Sequence, residues 1–142
     1  MSANGTSDLI FITSKWNAKT YNTEIIKKHL IKTGRSLIGS DFIVYQDNDT
    51  SHLRSHKLLE DWNVSRIPVP ADSCDLNVIE NAWSWLKARL YKIPFSSVEK
   101  LKKDARKIWK SLPISICEAL VTSMSRRLTT VINRNGMNTK YG

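Results

Sequence analysis

Acidic residues at the ends of regular elements are the groups in this chain best suited to chemistry. Val44 to His52 reads VYQDNDTSH, an apolar run breaking into Asp47, Asn48 and Asp49. Ser73 to Tyr91 reads SCDLNVIENAWSWLKARLY, with Glu80 three residues after Asn77. Magnesium takes hard oxygen ligands of this kind, usually one or two carboxylates with water and substrate phosphate. Two ions about 3.5 to 4 Å apart can activate an attacking oxygen and stabilise a leaving one. Asp47 and Glu80 are therefore the ligand candidates, with Asp49 in reserve. Each has a plainer alternative. The Asp47 to Asp49 cluster has the composition of a turn or helix cap. The pair Asn77 and Glu80 has the spacing of a capping box, in which the glutamate returns to the Asn77 backbone amide.

The elements that must position these acids follow from hydrophobic patterning. Asp8 to Ser14, DLIFITS, reads as a strand. Asn17 caps an expected helix through about Thr33 with Tyr21, Ile25, Ile26 and Leu30 inward. Gly34 and Gly39 punctuate a polar connection. Phe42 to Tyr45 is apolar on both alternating faces, as a buried parallel strand is, so the Asp47 cluster stands at a strand's C-terminal end, where open α/β sheets bind ligands. Ser51 to Trp62 follows as a helix burying Leu58, Leu59 and Trp62, ended by Asn63, and Val64 to Val69 as a short strand frayed by Pro68 and Pro70. The next helix starts near Asn77, with Ile79, Ala82 or Trp83, Leu86 and Leu90 inward and Glu80 off that face. Alternating strands and helices predict an α/β fold with a largely parallel sheet.

Past Lys92 two helices follow with no strand between them. Ser96 with Glu99, and Ser115 with Glu118, have capping-box spacing. Val98, Leu101, Ala105, Ile108 and Leu112 recur on one face of the first helix, and Leu120, Met124, Leu128 and Val131 on one face of the second, which Gly136 ends. The outer face of the first carries Lys100, Lys103, Arg106, Lys107 and Lys110; the second adds Arg126, Arg127 and Arg134.

The formal charge of +9 is concentrated there. Residues 1–91 hold 11 Lys/Arg against 10 Asp/Glu, and residues 92–142 hold 11 against 3. Such asymmetry is either the footprint of a polyanion-binding surface or a solvated face that keeps the protein soluble. A phosphate-contacting stripe predicts affinity for DNA that falls steeply with salt. At 142 residues the chain is one domain's worth, and 41% hydrophobic content predicts a folded core. No apolar run approaches the length of a membrane span, and MSANGTSD has no signal-peptide character. Two cysteines, Cys74 and Cys117, make neither a disulfide framework nor a zinc motif, so a reducing intracellular compartment is expected. His52 and His56 have a zinc-compatible spacing without an evident third ligand, and Trp83 and Trp85 divide between core packing and base stacking.

The two acidic stretches also carry a resemblance. QDNDTSH followed by SCDLNVIENAW resembles the paired signature of mariner-type DDE transposases of the Tc/mariner superfamily, and the tail segments IWKSLP, MSRRL and NGMNTKYG are similar to the C-terminus of that family. The similarity runs from about Asp8 to Tyr141. It implies an incomplete ribonuclease H-like fold, a mixed sheet with flanking helices, plus two C-terminal α-helices. Residues 1–92 would form the partial catalytic domain and residues 93–142 its basic helical extension. The implied activity is DNA transposition and integration in the nucleus, by cutting and joining strands with Mg2+ or Mn2+. Asp47 matches the second catalytic acid and Glu80 the third; Asn48, Asp49, His52, Asp75 and Asn77 match accompanying motif positions.

The family's first catalytic aspartate and its helix-turn-helix region correspond to nothing in this chain. Thr50, Cys74 and Val78 stand in place of prolines, and Val69 in place of a tryptophan. Proline at the first helical position is pre-organised, so Val78 fixes the helix start, and the aim of Glu80, less tightly. The gap from Asp47 to Glu80 holds 32 residues, slightly fewer than is usual in the family. One aspartate and one glutamate are too few to hold two ions against water, so the chain alone is expected to have lost most or all strand-transfer activity. The alternative is a non-catalytic module that binds DNA or another, longer transposase chain. An unpaired edge at Asp8 to Ser14 would invite homo-oligomerisation.

Overall fold

The computed structural model describes residues 1–13, 15–47, 49–70, 73–137 and 139, with the backbone alone at Ser51 and Leu53. They fall into two compact units: Ile12–Asn77, and Met1–Phe11 together with the described chain from Val78 onward. No helix among the described residues is long and apolar enough to cross a membrane.

The first unit, Ile12–Asn77, opens on a long helix in three parts: α1 (Ala18–Thr20), a π-helical segment (Tyr21–Leu30) and α2 (Ile31–Leu37). Asn17 caps it as its type predicts, its side-chain oxygen accepting from the Thr20 amide at 2.9 Å. The π-helical stretch changes which side chains face inward. A 3.6-residue period selects Tyr21, Ile25, Ile26 and Leu30, whereas the buried residues are Tyr21, Ile26 and Ile31, five apart, as i→i−5 bonding dictates. Ile25 and Leu30 pack at the margin of the same cluster.

Gly34 does not end the helix. It lies inside α2, where an added Cβ would sit 2.4 Å from the buried Phe42 ring, so the close approach of that ring accounts for the glycine. Gly39, at φ +125°, makes the turn before β1 (Ile43–Tyr45).

Strand β1 pairs in parallel with β2 (Ser65–Ile67), Val44 opposite Arg66. The described sheet is thus parallel and two-stranded, with helices around it: a mixed α/β architecture. Its faces are unequal. Val44 is buried while Ile43 is 55% exposed, which corrects the expectation of a strand buried on both sides.

Between the strands the expected single helix is broken into α3 (Thr50–Leu53) and α4 (His56–Asp61). Ser55 sits at the break with its hydroxyl bonded back to the His52 carbonyl, the local competition by which serine disfavours helix interiors. Leu59 is fully buried, whereas Trp62 is 40% exposed and lies outside the expected core. Asn63, at φ +54°, ends α4 in the left-handed conformation that asparagine tolerates. Burial of Ile26 and Leu59 contributes roughly 1.5–3 kcal/mol each.

The second unit is built from α5 (Ile79–Leu90), α6 (Val98–Lys110) and α7 (Ile114–Asn133). Its core joins Ala82, Leu86, Trp109, Leu112 and Cys117, and Trp83 stacks on Trp109 with centroids 4.7 Å apart. Trp109, absent from the predicted face, is held by its indole N–H donating to the Ser7 carbonyl at 2.8 Å, while Val98 is 58% exposed. Residues 8–13 form no strand, since a strand needs a partner and none pairs here; Leu9 instead packs against the helical core.

The helix caps shift by one residue or dissolve. Ser97, not Ser96, caps α6 by accepting from Lys100 N at 3.1 Å. Pro113 stands at the N-terminus of α7 in place of the Ser115 device. Asn135, at φ +52°, takes the left-handed position after α7, and the Gly136 amide then reaches back to Val131 O at 2.9 Å.

Candidate functional site

Asp47 lies two residues past the last residue of β1, and a chain of hydrogen bonds runs to it from the body of the first unit. The buried Tyr21 hydroxyl donates to Gln46 Oε1 at 2.9 Å, and Gln46 Nε2 donates to Ser55 Oγ at 3.1 Å. Ser55 Oγ donates to the His52 carbonyl at 2.6 Å, and His52 Nδ1 lies 2.6 Å from Asp47 Oδ1. A carboxylate accepts only, so Nδ1 carries the proton of that bond. The Tyr21 ring packs on the His52 ring at 4.4 Å between centroids, which fixes the plane of the imidazole.

Asp47 Oδ1 also accepts from the Asp49 amide at 3.3 Å. One carboxylate oxygen of Asp47 is therefore fixed from two sides, while its side chain remains 56% exposed. The acids in turn act on their surroundings. Burial and then the charges of Asp47 and Asp49 push the Tyr21 phenol well above its ordinary range. Tyr45 is raised by burial and by Asp75 and Asp47.

The accompanying motif positions differ in kind. Asp49 is exposed, and its backbone carbonyl accepts from the His52 amide at 2.8 Å. Asn48 lies outside the described residues. Asp75 is 2% exposed within a 3-10 turn, Cys74–Leu76. Asn77 does not cap α5, because Val78 occupies the boundary in helical conformation without a side-chain cap. The Asn77 amide donates to Cys74 O at 3.0 Å. It is thus unavailable to Glu80, and the capping box is not formed.

Glu80 belongs to the second unit, exposed on the first turn of α5, with no hydrogen bond or ion pair among the described residues. One residue on, Asn81 Oδ1 accepts from Arg127 Nη2 at 2.7 Å, and Ser123 Oγ accepts from Arg127 Nε at 3.0 Å. Arg127 is 1% exposed, which removes it from the expected DNA-facing set: its guanidinium ties α7 to the start of α5.

The other basic residues divide. Lys103, Arg106, Lys107 and Lys110 are exposed on α6, and Arg126 on α7. Lys100 pairs with Asp104 at 2.7 Å, Lys110 approaches Asp8 at 3.6 Å, and Arg106 lies 4.8 Å over the Phe11 ring.

The donor chemistry of Asp47 and Glu80, hard carboxylate oxygens, fits a magnesium or manganese ion. Within the described residues no three His, Cys, Asp or Glu side chains converge on one point, so neither unit alone forms a closed metal cage, and His52 and His56 have no third partner for zinc. Reading by residue type missed Tyr21, Gln46, Ser55 and Asn81 as positioning residues. Gln46 and Asn81 adjoin the two acids, a signal that was present. The packing of Tyr21 on His52 links residues 31 apart, and no local pattern announces it.

Comparison with known proteins bears on this arrangement. No family model matches the chain. Its relatives, however, are transposases. It is 30% identical over 122 residues to the "Transposable element Tcb2 transposase" of Caenorhabditis briggsae, covering 83% of this chain and 44% of that protein. It is 36% identical over 108 residues to the "Transposable element Tc1 transposase" of Caenorhabditis elegans, covering 73% and 39%. It is 32% identical over 139 residues to the Tc3 transposase of the same organism, covering 94% and 42%. The chain's homologues are Tc1/mariner-family transposases, and it spans less than half the length of these relatives.

Proposed function

We propose that this chain is part of the catalytic domain of a DNA transposase, an incomplete ribonuclease H-like fold acting in the nucleus. In this reading Asp47 and Glu80 are two carboxylate ligands of a site for metal-assisted phosphoryl transfer. The observation that carries it is the held carboxylate of Asp47 at the end of a parallel strand, in a chain related to transposases over most of its length.

Each residue's task follows from its surroundings. His52 and the Asp49 amide fix Asp47 Oδ1 in a side chain that remains more than half exposed, so Oδ2 is the oxygen proposed as the ligand atom. Glu80, without a competing partner among the described residues, is exposed at a helix start. Mg2+ or Mn2+ held by these carboxylates would supply activation of the attacking oxygen and stabilisation of the leaving one. Two carboxylates leave such a pair of ions under-ligated, so cutting and joining require a further carboxylate from outside these 142 residues.

The test is complementation. Joined in one chain to the upstream part of a relative such as the Tc1 transposase, the 142 residues should support metal-dependent nicking of duplex DNA, and Asp47→Asn or Glu80→Gln should abolish it. Nicking that survives both substitutions contradicts the reading. A second reading, a non-catalytic module binding DNA or a longer transposase chain, is favoured by the exposed cations of α6. It predicts salt-dependent DNA affinity that both substitutions leave intact while the complemented chain remains inactive.

A further inference from the structure

The first unit carries a second basic feature, away from the stripe on α6. Lys19, Asn22, Thr23 and Lys27 of the long helix, with Arg54 and Leu58 of the α3–α4 region, line an open groove of about 360 Å3. Three of these residues are cations and none is an acid. The unit as a whole is nearly neutral, nine Lys/Arg against eight Asp/Glu, so general basicity does not account for the clustering. None of the three is ion-paired among the described residues, whereas neighbouring Lys28 is neutralised by Glu24 at 2.8 Å.

The groove is also fixed in shape. Asn22 Nδ2 donates to the Arg54 carbonyl at 3.3 Å, pinning the α3–α4 junction to the helix, and Thr23 Oγ1 is turned inward onto Lys19 O at 2.9 Å. Lys19 and Lys27 are eight residues apart, at most about 12 Å along the axis at the α-helical rise of about 1.5 Å per residue and somewhat less through the π-helical turns. That length spans several charges of a strand carrying one phosphate per about 3.4 Å, and is longer than a single phosphate needs.

The geometry points to this groove as a binding site for the phosphodiester backbone of DNA, gripping successive phosphates through Lys19, Lys27 and Arg54 in the same unit as the Asp47 carboxylate. The inference rests on the transposase reading, and it adds the surface that leads the backbone to the strand end. Adjacent residues make the link: Tyr21 packs on His52, which holds Asp47, and Asn22 bonds Arg54.

The test measures the affinity of the full chain for a short DNA duplex as a function of salt between about 50 and 200 mM. Each phosphate contact contributes about 0.9 to the slope of log affinity against log salt, so a Lys19→Ala, Lys27→Ala, Arg54→Ala triple variant should lower its magnitude by up to about 2.7. The charge-conserving Lys19→Arg, Lys27→Arg, Arg54→Lys variant should retain the slope, which separates lost contacts from lost folding. A Lys28→Ala, Lys32→Ala, Arg35→Ala variant removes equal charge outside the groove and should leave the slope near that of the parent. If the groove variant behaves like this last control while Lys103→Ala with Lys107→Ala lowers the slope, the groove is overturned and the transposase reading stands. If the parent chain shows no salt-dependent affinity for the duplex, the groove is overturned, and the transposase reading is then decided by nicking in the complemented chain.

Discussion

Asp47 and Glu80 carry the same functional group in two differently built regions. The first region spends a buried tyrosine, a glutamine, a serine and a histidine on orienting one carboxylate oxygen. The second gives its carboxylate no partner among the described residues and makes its buried polar bonds one residue further on, where Arg127 fixes Asn81. A ligand held in advance loses little freedom when an ion binds, whereas one on a free side chain must be ordered at that moment. The difference teaches that the Asp47 carboxylate is oriented by its neighbours, whereas that of Glu80 is placed by its helix alone; in the proposed metal site the first would be a prepared ligand and the second one ordered on binding.

Removing the internal tie of the second region should have the largest effect. Arg127→Ala removes the partner of Asn81 Oδ1, leaves Ser123 only its bond to the Leu120 carbonyl and opens a cavity, so unfolding free energy should fall by about 3 kcal/mol in urea denaturation. Arg126→Ala, at the exposed neighbouring position, should stay within about 0.5 kcal/mol. Equal effects from the two would erase the distinction between a structural and a surface arginine.

In the first region Gly34→Ala should cost about 1–3 kcal/mol, because the Phe42 ring must move out of a packed position. The helix-propensity gain of up to about 1 kcal/mol offsets only part of this. A thermal melt that rises would show that the ring yields freely.

How far the sequence disclosed these regions depends on the range of the interactions involved. The Asn17 cap, the start of α6 to within a residue and the alternation of strand and helix rest on neighbours a few positions apart, and residue types reveal them. Both acid positions were legible for the same reason, each standing beside a strong element signal. The burial of Arg127 was not, since Asn81 is 46 positions away and an arginine directly after another arginine reads as surface. Trp109 escaped a face drawn at strict spacing because its anchor is Ser7, 102 residues distant. The five-residue spacing of Tyr21, Ile26 and Ile31 was hidden by the assumption of an α-helical period. The Asn77–Glu80 capping box failed because the helix begins after Val78 and the preceding 3-10 turn had already taken the Asn77 amide.

Smaller effects sharpen the contrast. His52→Ala should weaken Mn2+ binding by roughly 10- to 100-fold, the usual loss for a partner that orients a ligand, with little change in the melting curve. Ser84→Ala, on the same helix as Glu80, should leave Mn2+ binding unchanged.

The smallest effect is a pH dependence. The folded Tyr21 phenol has a raised pKa, so its contribution is fully present below the unfolded value of about 10 and is lost as pH rises beyond it, where only the unfolded chain ionises. Tyr21→Phe should accordingly flatten the decline of stability above about pH 10. An unchanged alkaline limb would show that the phenol is not held in its neutral form.

The claim on which the account turns is that Asp47 and Glu80 serve one metal site, and Mn2+ affinity measured by electron paramagnetic resonance on the 142-residue chain tests it most directly. The account predicts that Asp47→Asn and Glu80→Gln each weaken binding by at least about tenfold, and that the double substitution adds little to either, as for residues acting as a unit. Binding that is lost with Asp47→Asn yet untouched by Glu80→Gln, or independent additive losses, would contradict it.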